Sequence, residues 1–423
     1  MHQVSDATTG ASTAAFATVG AGTATEQKIG SPRSAFAPAV TSLLVAFATV
    51  GATIPLFNVY RAEEGFTNGD ISVTVVAYSA ATLATLLALG RLSHHVGRRP
   101  VAIASLLLLA VGSLVLLDVH GLGILIAGRG IMGVGAGLAS SSLTSYIVDA
   151  APAKPAWLAS VASSQTVMLG LAVGAVSSGA LVQFAPWPRD LVFLALITLL
   201  LVSTGLVAAS PETAPRSPGA WRSLRPHVSA SAHVRDLLPV AAAVLLATWS
   251  IGSFYQAFVP ALVEGELHTK SSLVLGLVFA AYMAPSALGA PLSGRFEPAT
   301  AQRIGMVVFL AGMAGVLTAV TVDALGLFIV STIVAGAGQG VAISATTRGL
   351  LYGSSVAARA PIFSVVYLLS YAGATIPALV AGSLSSIFTL PQIVMGYGAF
   401  ALAATLVTLV AAHNPRAPGR SSR

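Results

Sequence analysis

Of 423 residues, 55% are hydrophobic and only 8% charged, whereas soluble domains carry about a quarter charged residues. A chain so poor in charge cannot cover itself with a water-facing surface, which excludes a soluble enzyme or binding module. The formal charge of +7 does not indicate nucleic acid, because no soluble basic face is visible, and the lack of cysteine excludes disulfides and thiolate metal sites.

Residues 1–36 are rich in Ala, Thr, Ser and Gly and contain no apolar run behind a basic region, so they read as a disordered tail rather than a cleavable signal. Apolar runs of about twenty residues then recur, each able to cross roughly 30 Å of hydrocarbon. The first six are predicted at 37–60, 71–90, 100–117, 122–148, 158–184 and 191–209. A second six follow at 238–262, 272–292, 304–321, 325–347, 361–384 and 392–412. Between the sets, residues 210–237 hold four prolines and four arginines and read as a cytoplasmic linker. Residues 413–423 form a second tail. The expected fold is an all-α integral membrane protein, with twelve transmembrane helices in two pseudo-symmetric six-helix bundles (37–209 and 238–412) around a central cavity.

Basic loops are retained on the cytoplasmic side of a membrane. With the amino terminus inside, the inner segments hold seventeen Lys and Arg residues, while the outer loops hold only Arg61, Arg189 and Lys270. Both termini are therefore expected in the cytoplasm, with the chain in the plasma (inner) membrane, and the positive charge becomes a topology signal.

The two halves repeat weakly. Gly90-Arg91-Leu92 after the second span matches Gly294-Arg295-Phe296 after the eighth at an offset of 204. Gly133-Val134-Gly135-Ala136-Gly137 in the fourth matches Gly336-Ala337-Gly338-Gln339-Gly340 in the tenth at an offset of 203. Such duplication is expected of carriers built from two related bundles about a midplane site.

The loop Gly90-Arg91-Leu92-Ser93-His94-His95-Val96-Gly97-Arg98-Arg99-Pro100 resembles the signature between spans two and three of the major facilitator superfamily, roughly G-x-L-x-D-R-x-G-R-R. Arg129 to Gly137 resembles that superfamily's R-x-x-x-G-x-G motif, with Tyr146, Asp149 and Pro152 following. The resemblance implies a conformational latch formed by Gly90, Arg91, His94, Gly97, Arg98 and Arg99. In physical terms, Gly90 and Gly97 suit a tight turn, and the arginines suit an anionic inner leaflet and helix carboxyl ends. His94 stands where the family usually has Asp, either weakening the latch or making it pH-dependent near neutrality. Gly170, Gly174 and Gly179 partly resemble the glycine-rich fifth span of the family's drug exporters, although Ala175 stands where those have Pro. Helix packing explains the glycines equally well.

A charge at mid-depth is costly unless it lines a wet cavity or finds a partner, which makes Arg129 a candidate for coupling, substrate binding or a structural hydrogen bond. Its candidate partners are backbone carbonyls, Gln165, water or a bound anion, and Gly133 and Gly137 share its helix face. Tyr78, Trp249, Tyr255, Gln256, Tyr282, Gln339, Tyr367 and Tyr371, with Gln165, are the expected cavity lining, suited to an amphiphilic or weakly charged solute. No nucleotide-binding loop, catalytic cluster or metal set lies in the spans, so the expectation is a secondary carrier without cofactors rather than an enzyme or primary pump. The expected partners are a small-molecule substrate, protons as the candidate coupling ion, and the lipid bilayer; a monomer is expected. Efflux is favoured. The alternatives are an uptake or facilitative carrier, or a non-transporting receptor on the same fold.

Overall fold

A computed structural model describes residues 32–155, 158–215, 218 and 232–415. Among these, all regular structure is helical, and twelve helices are long and apolar enough to cross a membrane. They are α1 Phe36–Glu64, α2 Asn68–Leu89, α3 Arg98–Val115, α4 Leu122–Ala150, α5 Leu158–Phe184, α6 Pro188–Ala209, α7 Val234–Ala257, α8 Ser272–Ser293, α9 Pro298–Thr321, α10 Leu325–Leu351, α11 Pro361–Leu384 and α12 Leu390–Ala411. The predicted tails fall largely outside the described residues, as does most of the predicted linker.

Helices dominate because hydrocarbon offers no partner to a backbone polar group, and a helix satisfies all but its ends internally. The ends have local signals. α2 opens with a capping box in which Thr67 Oγ1 accepts from the Asp70 backbone amide at 3.2 Å and Asp70 Oδ2 accepts from Thr67 N at 2.8 Å. α6, α9 and α12 begin with proline in the first turn, where its missing N–H costs nothing.

Three spans are less regular than the hydropathy suggested. α1 is interrupted at Ala52, and α8 loses its regular run after Ser286, beside Pro285. The predicted seventh span, 238–262, ends at Ala257. A separate short helix, Val259–Gly265, follows, because Pro260 cannot donate a backbone bond to Gln256.

Within each bundle the fourth helix packs on the second through glycine. A Cβ on Gly133 would strike the Tyr78 carbonyl, and one on Gly336 would strike the Tyr282 carbonyl. The offsets of these pairs, 203 and 204, are those of the sequence repeat. Between bundles, Gly179 of α5 lies against Ser272 of α8, and Gly382 of α11 against Ser72 of α2. Glycine thus substitutes backbone contact for side-chain bulk where burial from water supplies no drive.

Candidate substrate cavity and latch

A cavity of about 930 Å³ lies between the bundles, at the upper end of the range for small-molecule sites. Its deep walls come from the middles of several spans: Phe47, Tyr78, Trp249, Met283, Gln339 and Tyr371. Trp249 and Tyr371 face each other with ring centroids 4.9 Å apart. Further out runs a hydroxyl belt that includes Ser140, Ser141, Thr144, Ser163, Ser344 and Thr347. The mouth is bounded by Gly90, Arg91, His94, Arg98, Asp149 and Arg348. The cavity therefore opens on the face that carries the loop between α2 and α3.

The opposite face is closed by contacts between the bundles. Asn58 Nδ2 donates to Pro260 O at 2.9 Å, Arg61 Nη2 to Ala257 O at 3.2 Å, and the Leu273 backbone N–H to Gln183 Oε1 at 3.1 Å. Among the described residues, the cavity lining reaches the face of the α2–α3 loop and not the face of these contacts.

Seven of the nine expected lining residues bound the cavity: Tyr78, Gln165, Trp249, Gln256, Gln339, Tyr367 and Tyr371. Gln256 Oε1 is buried there without a protein partner. Tyr255 and Tyr282 do not line it and correct the expectation. Their rings stack at 4.3 Å inside the second bundle, where the Tyr255 hydroxyl meets Thr332 Oγ1 at 2.7 Å and Tyr282 donates to Thr248 O at 3.1 Å. Hydropathy places a tyrosine at membrane depth but not on the inner or outer side of a bundle wall.

Arg129 is fully buried behind that wall. Its Nη1 donates to Thr53 Oγ1 at 2.8 Å, and its guanidinium lies 4.5 Å from the Tyr78 ring centroid and 5.7 Å from that of Phe57. Nε and Nη2 have no partner. Gln165 is not the partner, since its Nε2 donates to Ser164 Oγ at 3.1 Å. Gly133 and Gly137 receive α2 at Tyr78 and Thr85 rather than facing the cavity. Cation–π stacking and one hydrogen bond replace the acid that the spans lack at this depth.

The loop between α2 and α3 is a tied structure. Arg98 Nε lies 2.9 Å from Asp149 Oδ2, Nη1 donates to Ser93 Oγ at 2.9 Å, and Nη2 is 3.1 Å from His94 Nδ1. Burial, then the neighbouring Arg98, holds the His94 imidazole below its ordinary value, with Asp149 opposing. Gly97 has φ +110°, a conformation reserved for glycine, and a Cβ there would come within 2.5 Å of Glu212 Oε2. Glu212 caps α3: Oε1 accepts from Arg98 N at 2.8 Å and Oε2 from Arg99 N at 3.1 Å. The Tyr146 hydroxyl donates to Pro211 O, so the start of the predicted linker is docked on the latch rather than free. Gly90 and Arg91 bound the cavity mouth beside it.

The helices overrun the predicted spans and take in acids at their ends. Glu63 meets Arg189 Nη1 at 2.6 Å, Asp70 caps α2, and Asp149 holds Arg98. Asp118, just beyond α3, contacts His120 at 2.6 Å. The sequence alone does not single out Thr53 or Glu212, because their partners lie 76 and 114 residues away and neither belongs to a motif.

Comparison with known proteins places this geometry. The family model described as Major Facilitator Superfamily matches residues 39–347. The MFS efflux transporter aclA of Aspergillus oryzae is 35% identical over 112 residues, which are 26% of this chain and 20% of that protein. The quinolone resistance protein NorA of Staphylococcus aureus is 25% identical over 111 residues, 26% of this chain and 29% of that one. The alignments thus span well under a third of these relatives. A crystal structure of the nucleoside transporter NupG superposes with TM-score 0.68 over 89% of this chain and 99% of that one, at 11% identity, a likeness of fold alone.

Proposed function

Because this chain belongs to the Major Facilitator Superfamily, and is thus a membrane transporter of some solute rather than an enzyme, we propose that it exports a small organic solute by alternating access. Both termini then lie in the cytoplasm, following the split of basic residues, and the conformation described is inward-facing. The observation that carries this reading is the cavity. It opens only where Arg91, Arg98 and Arg348 cluster, the positive side of the chain, and it is closed opposite by the Asn58 and Arg61 bonds to the second bundle. A solute from the cytoplasm can load onto the Trp249–Tyr371 wall without a conformational change. The two relatives, one named for efflux and one for quinolone resistance, support the same direction.

Alternation would exchange one set of closures for another. Breaking the Asn58, Arg61 and Gln183 contacts would open the far side, while the loop docked through Arg98, Asp149 and Glu212 would meet the second bundle and close the near one. The latch residues Gly90, Arg91, His94, Gly97, Arg98 and Arg99 act in this reading as the surface that changes partners.

One observation favours uncoupled transport as a second reading. Among the described residues that line the cavity, Asp149 is the only acid and already holds Arg98, and the one histidine, His94, lies at the mouth rather than at the Trp249–Tyr371 wall. Proton-driven carriers generally need a group that gains and loses a proton inside the site. The test is flux in proteoliposomes with an imposed pH gradient. Substrate movement that follows the gradient sustains proton-coupled export, while movement that follows only the substrate gradient favours the facilitative carrier.

A further inference from the structure

From the distribution of charge around the cavity we infer the substrate class, resting on the transport reading above: an aromatic organic anion, such as a carboxylate or sulfonate on a ring system, rather than a lipophilic cation.

Charge around the cavity is one-sided. Among the described residues, Arg91, Arg98 and Arg348 line it against the single acid Asp149. That acid and Arg98 offset each other, with Asp149 Oδ2 2.9 Å from Arg98 Nε, so the lining carries two more positive charges than negative. Arg348 Nη2 donates to the carbonyls of Ser293 and Phe296 at 2.7 and 3.0 Å, which orients the guanidinium without neutralising it. A fourth positive charge, Arg129, sits 4.5 Å behind the Tyr78 ring that forms part of the deep wall, and its contacts among the described residues, Thr53, Tyr78 and Phe57, include no acid. The net field inside is positive at the mouth and at the floor alike, and low-dielectric walls focus it.

Ligand-sized space adjoins that field. The Trp249 and Tyr371 rings, tilted 53° to each other, form with Tyr78, Phe47 and Met283 an apolar, aromatic-rich wall for an aromatic body. An organic cation stacked there would leave water with no carboxylate to receive it and with Arg129 behind the ring, so it loses its hydration uncompensated. An anion meets the opposite situation. Its head can lie toward Arg348 and Arg91, or against the hydroxyls of Ser344 and Thr347, with its ring on Trp249.

Three compounds sharing one aromatic body test this: 2-naphthylacetate, its neutral amide, and 2-(2-naphthyl)ethylammonium. Equilibrium binding to the purified protein in phosphatidylcholine nanodiscs should rank the carboxylate about tenfold above the ammonium. Raising the salt should erode the carboxylate's advantage over the amide. Arg348→Gln and, separately, Arg91→Gln should lower the carboxylate-to-amide affinity ratio several-fold, and Gln165→Glu should shift preference toward the ammonium. Ammonium binding equal to or tighter than carboxylate binding, failure of the carboxylate to bind, or a ratio indifferent to salt and to all three substitutions would overturn the inference. Flux of the same compounds separates it from the function: a carboxylate that binds with the expected preference but is never moved contradicts the transport reading while the charge preference stands.

Discussion

The Arg129 guanidinium stacks 4.5 Å from the Tyr78 ring, and the second bundle builds the same stack from two tyrosines, with Tyr255 lying 4.3 Å from Tyr282. Tyr78 and Tyr282 are 204 residues apart, and Arg129 and Thr332 are 203 apart, the spacing of the glycine repeat. Where the first half carries a guanidinium on α4, the second carries Thr332, whose Oγ1 holds the hydroxyl of the ring that fills the space. A ring stack thus recurs at equivalent positions of both bundles, while the buried charge is present in the first alone.

The second-bundle stack is therefore structural. Tyr255→Phe removes the Thr332 contact and should cost about 0.6 kcal/mol, the average found for hydrogen bonds between membrane helices. Tyr255→Ala also removes the ring and should cost about 3 kcal/mol or more. Thermal unfolding should register both losses, while substrate affinity in Tyr255→Phe stays at the parental value. A large affinity change in Tyr255→Phe would return this residue to the cavity.

Gly97→Ala should destabilise the latch by about 1–3 kcal/mol from backbone conformation alone, and the added Cβ also displaces the Glu212 carboxylate. Gly97→Val should abolish most flux while the protein still inserts. Normal flux in Gly97→Val would remove this loop from the transport cycle. Glu212→Gln keeps the shape of the cap but loses charge at the start of α3, so its effect should be milder than that of Glu212→Ala.

Much of this molecule was legible from its sequence, and the gaps have a common cause. Twelve spans follow from hydropathy because lipid imposes one length scale on every helix. The latch motif drew attention to Arg98, but not to the Glu212 that caps it, since contacts between distant residues leave no periodic trace. Tyr255 and Tyr78 look alike in sequence, although only Tyr78 reaches the cavity, because a span's rotation about its axis is set by glycine contacts such as Gly133 on the Tyr78 carbonyl. Arg129 stood out as a buried charge, while its actual partner, Thr53, is one hydroxyl among many.

His94 is expected to set the pH response of the loop between α2 and α3. Four charged or titratable groups act on it: Arg98 and Asp149, with His95 and Arg91 beside them. Burial and Arg98 lower its proton affinity in this conformation, so the ring is neutral at pH 7. A group whose pKa is depressed stabilises the state that depresses it above the ordinary value, and that stability is lost as pH falls below it. The conformation described here should thus weaken below about pH 6.5, the ordinary histidine value. Thermal unfolding of the parent and of His94→Asn, compared from pH 7.5 to 5, should show an acid-dependent loss in the parent that shrinks in the variant. Parallel curves would assign the acid response to another group. His94→Asp, restoring the family's acid, should be tolerated, because the carboxylate would meet Arg98.

Arg129 offers the sharpest separation of structure from mechanism. It is fully buried, bonded only to Thr53, and carries Nε and Nη2 without partners, a costly arrangement for packing alone. Arg129→Ala removes the support behind Tyr78, so both folding and the cavity wall should suffer, and flux alone would not tell which caused the loss. Arg129→Met fills much of the same volume without charge and should keep the thermal midpoint near the parent's, since buried charges are often replaced by apolar groups at no cost. If the charge shapes the cavity field, Arg129→Met should still lose most anion flux, and Arg129→Lys should restore only part of it, lacking the planar fork that spans Thr53 and the Tyr78 face. Flux in proteoliposomes under an imposed pH gradient, measured beside unfolding for all three variants, decides. An Arg129→Met protein that is stable, transports at the parental rate and still follows the gradient would reduce Arg129 to a prop for Tyr78. A stable Arg129→Met protein without flux would place its charge in the transport cycle.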